Sequence, residues 1–123
     1  RAVLVKSLGV RRYLSLMSYV SGVVGNSSSG IIEAPSYGVP TVNIGIRQQG
    51  RVMARSVINC CDDENSIFRA LEQAMSKSFL SSLRGMKNPY GDGNTACKVG
   101  TVLESASLEG ILKKSFYNMG EFQ

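Results

Sequence analysis

Histidine and tryptophan are absent from this 123-residue sequence, which has only three cysteines and three prolines. Without histidine, the chain lacks the commonest metal ligand of proteins and the usual general base near neutral pH. The cysteines are Cys60, Cys61 and Cys97, an odd number with two adjacent members, which suits neither a disulfide framework nor a zinc site. We therefore expect reduced thiols in a cytoplasmic protein, and we expect no metal and no cofactor.

Long apolar runs are also absent. No stretch approaches the roughly 18 consecutive apolar residues of a membrane-spanning helix. The opening segment, residues 1–6, has too short an apolar core for a secretory signal and no small-residue cleavage site after it. Because this segment lacks an initiator methionine and begins at once with a strand-like run, we expect the chain to be part of a longer protein.

A dense cluster of one charge is the third feature that the sequence lacks. The formal net charge is +5, from 14 basic and 9 acidic residues. The closest basic groups are Arg11–Arg12, the spaced set Arg47, Arg51 and Arg55, and Lys113–Lys114. None is interleaved with aromatics as in an RNA-binding sheet, so nucleic acid is not an expected partner. A basic surface of this kind remains compatible with a phosphate-bearing ligand.

Strand-like and helical patterns alternate along the chain. Short apolar runs predict strands at residues 2–5, 22–25, 41–44 and 56–60. Spacings of three and four predict helices at residues 10–20, at 31–36, after the acids at 62–64, and after a loop at 78–94. In the last helix we expect Ala96, Val99, Val102, Leu103 and Ala106 to face inward. This alternation predicts an α/β fold, a Rossmann-like parallel sheet with flanking helices that binds ligands at the carboxyl ends of its strands.

A turn of small residues, Asn26-Ser27-Ser28-Ser29-Gly30, joins the second predicted strand to a helix. Helix N-termini present unpaired N–H groups, small residues let a phosphate approach the backbone, and serine hydroxyls add donors. A serine-rich turn is also an ordinary way to cap a helix. The turn by itself therefore leaves phosphate binding and plain capping both open.

Two charged residues lie near the same expected edge of the sheet. Glu33, about one turn into the predicted helix, is placed to accept hydrogen bonds from a ribose diol or to cap the turn behind it. Arg47 follows the third strand, where its guanidinium would either neutralise a diphosphate or lie on the surface. From residue type and spacing alone, these alternatives are equally balanced.

Two separated segments carry a specific family resemblance. They are the stretch from Gly25 to Arg51, GNSSSGIIEAPSYGVPTVNIGIRQQGR, and the loop from Asn88 to Asn94, NPYGDGN. Both resemble the hydrolysing UDP-N-acetylglucosamine 2-epimerases, and the similarity covers roughly residues 2–110. The resemblance implies the C-terminal half of a GT-B-like enzyme whose active site lies between two Rossmann-like domains. We accordingly expect a UDP-binding domain at residues 1–112, a poorly ordered tail at 113–123, and a separate N-terminal domain in a homo-oligomeric parent.

The resemblance also implies roles for particular residues. Ser27 and Ser28 would hold the diphosphate of UDP, with Arg47 near the phosphates. Glu33 would bind the ribose hydroxyls, and Leu8 would lie beside the uracil. The remaining turn residues, Asn26, Ser29 and Gly30, would support the turn.

The family reaction begins with removal of the proton at sugar C2 and expulsion of UDP, after which water adds to give N-acetylmannosamine. Its acid and base carboxylates and its histidine belong to segments absent here, so we expect this chain alone to be inactive. Two positions depart from the family pattern: Ile46, where many relatives are polar, and Gln49, where relatives are often basic.

The subclass can be predicted from two parts of the first of these segments, Gly25–Arg51. Non-hydrolysing epimerases have an acidic residue and paired glycines in the turn, and a Thr-Thr-Glu-Arg-Pro-like segment after the next strand. The turn Ser27–Gly30 and the segment Gly45–Arg51 have neither pattern, which favours the hydrolysing branch.

Other functions stay open at this point. A glycosyltransferase of the same architecture would use a similar turn and ribose glutamate, and a non-enzymatic nucleotide-binding remnant would retain them. The sugar, with one acetamido group or two, is not determined by these residues.

Overall fold

The structure of the protein is a computed structural model, and it describes residues 2–113. Residues 2–92 belong to one compact unit, and residues 93–113 belong to a second, which contains a single helix among its described residues. The first unit is built on a parallel sheet of three strands in the order β1-β2-β3. The strands are β1 at Val23–Gly25, β2 at Thr41–Ile44 and β3 at Val57–Cys60. The predicted parallel α/β architecture is confirmed.

The helices connect and cover these strands. In chain order they are α1 at Gly9–Met17, α2 at Ser29–Ile32, a 3-10 turn at Ala34–Tyr37, α3 at Glu64–Met75 and α4 at Lys77–Ser82. In the second unit, α5 spans Thr95–Ser105. Among residues 2–113, no helix has the length and apolarity needed to cross a membrane.

Two apolar clusters hold the first unit together. One packs the small residues Ala70 and Ala74 of α3 against Val42 and Ile58 of the sheet. The other packs α1 against the 3-10 turn and β1 through Met17, Ala34, Val39 and Val23. Alanines on α3 allow the helix to approach the sheet closely, and burial of the apolar surface is the main stabilising contribution.

The short helix α2 packs on β2 at a point where only glycine fits. Thr41 Oγ1 donates a 2.8 Å hydrogen bond to the carbonyl oxygen of Gly30. A Cβ atom added at Gly30 would lie 2.5 Å from Thr41 Cγ2, well inside van der Waals contact. Gly30 therefore fixes the distance between the serine turn and the sheet.

The predicted helix at 31–36 is divided into two short pieces. Pro35 has no backbone N–H, so it cannot continue the α-helical hydrogen bonding of α2, and the chain tightens into the 3-10 turn after Glu33. The tighter turn ends at Gly38, whose φ of 67° is left-handed.

Three predictions made from the sequence are wrong, two about secondary structure and one about burial. Residues 2–5 form no strand, because no neighbouring strand among the described residues pairs with them, and Leu4 is fully exposed. The loop predicted from residue 78 instead contains most of α4, whose start is capped by Ser76 Oγ accepting from Phe79 N. The apolar residues predicted to face inward in α5 are exposed, with Val102 at 63%. Most of the predicted tail lies outside the described residues.

Candidate functional site

The carboxyl ends of all three strands meet at one edge of the sheet. The register pairs Gly25 with Asn43, and Ile44 with Cys60. The loops that follow β1, β2 and β3 are therefore neighbours, as expected for the ligand-binding edge of a parallel sheet. The serine turn follows β1, and the arginine-containing segment follows β2.

Ser28 occupies the N-cap position of α2, but its side chain does not cap the helix. Its hydroxyl group has no hydrogen-bond partner among residues 2–113. Ser27 Oγ accepts a long hydrogen bond, 3.4 Å, from the backbone N–H of Ser29. Because α2 is only four residues long, its dipole is small, and ligand recognition here would depend on the hydroxyl and backbone groups themselves.

The segment after β2 is held against this turn by hydrogen bonds. Arg47 Nη1 donates to Asn26 Oδ1 at 3.4 Å, so the guanidinium lies beside the serine turn. Gln48 Nε2 donates to the backbone oxygen of Asn26 at 2.7 Å, and Gln48 Oε1 accepts from Arg51 Nη1 at 3.1 Å. The structure thus brings together Arg47 and the predicted turn, as the sequence order of the strands suggested.

Gln48 was missed by sequence reasoning. It is only 4% exposed, and it bridges the loop after β1 to Arg51. A glutamine in a polar segment gives no pattern that distinguishes it from the exposed Gln49 beside it. Only the fold shows that its amide joins two loops.

Glu33 lies at the junction between α2 and the 3-10 turn, and its backbone N–H donates to Ser29 O at 3.0 Å. Its Oε2 atom is buried and has no hydrogen-bond partner in the described part of the chain. The Glu33 side chain does not cap the 3-10 turn. A buried carboxylate oxygen without a donor is costly, so the hydrogen bonding of this carboxylate is incomplete within the described residues.

Leu8 lies at the start of α1, in the N-cap position. It lines a hollow of about 460 Å³ together with Ser7 and Tyr13. The Tyr13 hydroxyl forms a hydrogen bond with Ser29 Oγ, which connects this hollow to the turn. The helical spacing at residues 10–20 places Tyr13 on an apolar face, and its hydroxyl contact could not be placed without the fold.

The loop NPYGDGN fastens the segments that carry the candidate residues. Asn88 Nδ2 donates to Ile32 O at 2.8 Å and to Ser36 Oγ at 2.7 Å, on either side of Glu33. Tyr90 donates its hydroxyl hydrogen to Val52 O at 2.8 Å, just after the arginine-containing segment. The loop from Asn88 to Asn94 therefore helps to hold in place the stretch from Gly25 to Arg51, the other segment that carries the family resemblance.

A cleft of about 770 Å³ lies at this edge, between the ends of β2 and β3. Its lining includes Asn43, Ile46, Arg51, Met53, Asn59 and Cys61. The serine turn and Glu33 do not line it. The cleft and the turn are nevertheless connected by the hydrogen bonds from Arg51 through Gln48 to Asn26.

A parallel sheet with flanking helices and polar loops along its carboxyl edge defines a Rossmann-like α/β fragment. The model of the family described as UDP-N-acetylglucosamine 2-epimerase matches residues 1–104. The chain therefore belongs to the UDP-N-acetylglucosamine 2-epimerase family.

Curated relatives agree with this family. The chain is 45% identical over 110 residues to polysialic acid biosynthesis protein P7 of Escherichia coli, an alignment that covers 89% of this chain and 28% of that protein. It is 39% identical over 120 residues to a GDP/UDP-N,N'-diacetylbacillosamine 2-epimerase (hydrolyzing) of Campylobacter jejuni, covering 97% of this chain and 31% of the relative. A UDP-N-acetylglucosamine 2-epimerase of Neisseria meningitidis is 43% identical over 70 residues, covering 57% and 19% respectively. The chain thus spans less than a third of the length of these relatives.

Proposed function

We propose that this chain is the UDP-binding part of a hydrolysing UDP-N-acetylglucosamine 2-epimerase that releases UDP and forms N-acetylmannosamine for sialic-acid-type sugar biosynthesis. The observation that carries this function is the contact between Arg47 and Asn26, which joins the loops after β1 and β2. A guanidinium beside two serine hydroxyls is a suitable receptor for a diphosphate.

In this function, Ser27 and Ser28 donate hydrogen bonds to the diphosphate, and Arg47 neutralises its charge. Glu33 accepts hydrogen bonds from the ribose diol through its carboxylate, whose Oε2 atom has no donor in the described part of the chain. Leu8 contacts the uracil from the hollow that it shares with Tyr13. Ser27, Ser28 and Arg47 stabilise the negative charge that develops as UDP departs, which is an electrostatic contribution to catalysis.

The hydrolysing assignment is supported by two sequence segments and by a relative's name. The turn Ser27–Gly30 and the segment Gly45–Arg51 both lack the non-hydrolysing pattern. The Campylobacter relative is named as a hydrolysing enzyme. Proton removal at C2 requires a base within hydrogen-bond reach, and this chain has no histidine. We propose that the base belongs to a further domain of a cytoplasmic, homo-oligomeric parent enzyme, and that residues 1–112 form its UDP-binding domain.

Calorimetry of this chain with UDP and UMP tests the nucleotide site. UDP should bind more tightly than UMP, because only UDP places a second phosphate between the serines and Arg47. Equal affinity for the two nucleotides would remove the diphosphate assignment.

The reaction is tested on the longer parent enzyme. Incubated with UDP-N-acetylglucosamine in deuterated water, it should release UDP and give free N-acetylmannosamine that carries deuterium at C2. Formation of the UDP-linked epimer without free sugar would exclude the hydrolysing assignment and leave the UDP site untouched. Turnover by the 123-residue chain itself, abolished by changing one of its own carboxylates, would contradict the division of labour between domains.

A further inference from the structure

The buried side chain of Gln48 joins the two loops on which the proposed diphosphate site is built. It is only 4% exposed, so protein atoms cover it and it acts on a ligand only through its neighbours. We propose that Gln48 is a positioning residue, which holds the arginine-containing segment against the serine turn and thereby makes the site selective for a diphosphate over a monophosphate. This inference rests on the proposed UDP site and adds to it a residue that does not itself bind the nucleotide.

The local fold of the segment after β2 turns Gln48 towards the protein. This segment contains two consecutive turns, closed by Gln49 N donating to Ile46 O at 2.9 Å and by Arg51 N donating to Gln48 O at 3.3 Å. The sequence neighbours Arg47 and Gln49 are exposed, whereas Gln48 between them is buried. The side chain that the protein covers is therefore neutral, and the guanidinium of its neighbour stays at the surface.

The chemistry of an amide matches both partners of the Gln48 side chain. Nε2 donates to Asn26 O at 2.7 Å, and Oε1 accepts from Arg51 Nη1 at 3.1 Å; we call these two hydrogen bonds the Gln48 clamp. A carboxylate at this position has no donor for the carbonyl oxygen, a lysine has no acceptor for the guanidinium, and an apolar side chain has neither. The clamp therefore depends on the amide itself and not on the size of the side chain.

Asn26 is the residue through which the Gln48 clamp acts on the turn. Its backbone oxygen accepts from Gln48, and its side-chain oxygen accepts from Arg47 at 3.4 Å. The Arg47 contact is long and lies between exposed groups, so water competes with it, whereas the Gln48 bond is short and partly buried. The stronger contact therefore fixes Asn26, and through Asn26 it keeps the guanidinium of Arg47 beside the serine turn.

Selectivity follows from the number of loops that a ligand contacts. In the proposed site, a diphosphate spans the serine turn after β1 and the arginine after β2. A ligand that spans two loops binds tightly only when their separation is already fixed, because the free energy of ordering them is otherwise subtracted from that of binding. A ligand held by one loop loses much less when the two loops move apart. Loss of the Gln48 clamp should therefore weaken UDP binding more than UMP binding.

Calorimetry with UDP and UMP on the 123-residue chain tests the Gln48 clamp. Gln48→Met removes both of its hydrogen bonds and nearly preserves the length of the side chain. It should lower the ratio of UDP affinity to UMP affinity by about 3- to 10-fold, the range for a neutral hydrogen bond, with most of the change in UDP affinity. Gln49→Met, at the exposed neighbouring position, is the matched control and should keep the natural ratio.

The affinity ratio separates positioning from a merely structural role. A residue that only stabilises the fold would lower the melting temperature and weaken UDP and UMP binding equally, and that result for Gln48→Met would overturn the proposal. An unchanged ratio would overturn it as well, while a natural chain that prefers UDP would leave the UDP site standing. A natural chain that binds neither nucleotide, or binds both equally, would overturn the UDP site itself.

A second test uses the natural chain, so it holds even if Gln48→Met fails to fold. Coupling between two sites is reciprocal, so a clamp that favours UDP binding must itself be strengthened by UDP. Hydrogen exchange of the Gln48 side-chain amide, measured by NMR at saturating nucleotide, should be slowed more by UDP than by UMP. The exposed side-chain amide of Gln49 is the control and should exchange at the same rate with either ligand. Equal rates at Gln48 with the two nucleotides would overturn its role in diphosphate selectivity.

Discussion

Among residues 2–113, serine stands at the N-cap position of two helices, and the two side chains behave differently. Ser76 Oγ accepts from the backbone N–H of Phe79 at 3.2 Å and so caps α4. Asp63 does the same for α3, with Oδ1 accepting from Ser66 N at 2.9 Å. Ser28, at the start of α2, forms no such bond, and its hydroxyl has no hydrogen-bond partner within the described residues.

The starts of α3 and α4 are therefore stabilised by their own N-cap side chains, whereas the start of α2 leaves polar groups available. At α2, the available hydroxyl is accompanied by a buried oxygen of Glu33 that has no donor and by the guanidinium of Arg47. Polar groups with these properties are expected where a ligand completes the hydrogen bonding. Three substitutions at α2 test this contrast through binding or stability, and two more test the helix starts that are capped by their own side chains.

The largest expected effect is at Glu33. Glu33→Gln should weaken UDP binding by about 1.5–3 kcal/mol, the cost of losing a hydrogen bond to a charged group, while the melting temperature stays the same or rises. Stability should not fall because the buried oxygen makes no internal bond that the substitution would break. Titration calorimetry and thermal unfolding on one preparation measure both quantities.

Glu72→Gln, on an exposed position of α3, is the control for Glu33 and should change neither quantity. The reverse pattern for Glu33→Gln, a lower melting temperature with UDP affinity unchanged, would mean that Glu33 is a structural cap. The contrast between α2 and the self-capped helices would then disappear.

Gly30→Ala should lower the free energy of unfolding by about 1–3 kcal/mol, the usual range for overpacking. The added Cβ would lie 2.5 Å from Thr41 Cγ2, so α2 must move away from β2. Denaturant unfolding measures the loss. Gly100→Ala, in α5 with no atom within 4 Å of the new Cβ, is the matched control and should not be destabilised. A stable Gly30→Ala protein would show that the turn is not fixed by this contact.

The two serines form a matched pair. Ser76→Ala should lower the free energy of unfolding by about 1 kcal/mol and leave UDP affinity unchanged, because a cap is lost. Ser28→Ala should leave stability unchanged and weaken UDP binding by about 0.5–1.5 kcal/mol, because a donor to the diphosphate is lost. Identical behaviour of the two variants in both assays would remove the distinction between a structural and a ligand-facing serine.

Features with local causes were predicted well from the sequence. The strand at 41–44 was placed with its observed bounds, and the acids at 62–64 mark the observed start of α3. Strand propensity and helix capping depend on near neighbours in the chain, so a short window contains the necessary information. Arg47 was expected at the same edge of the sheet as the serine turn, and its contact with Asn26 agrees with that position.

Features that depend on distant neighbours were predicted poorly. Gln48 and Tyr13 acquire their polar contacts from segments more than ten residues away, and no local pattern distinguishes them from exposed residues of the same type. The run at 2–5 has the composition of a strand, but a strand also needs a hydrogen-bonding partner, which these residues do not find in the described structure.

The smallest expected effect concerns pH and the caps of α3 and α4. Hydrogen bonding with Ser66 lowers the pKa of Asp63 below its usual value of 3.8. Because the folded pKa is lowered, the stabilisation is present above pH 3.8 and is lost as the pH falls through the folded pKa. Asp63→Ala should therefore be less stable than the natural chain at neutral pH, and the deficit should shrink in acid. The deficit of Ser76→Ala should stay constant, because a hydroxyl does not titrate in that range. Thermal unfolding of both variants and the natural chain from pH 7 down to the acid limit of folding measures this difference. A deficit for Asp63→Ala that is independent of pH would mean that its carboxylate charge contributes nothing to capping α3.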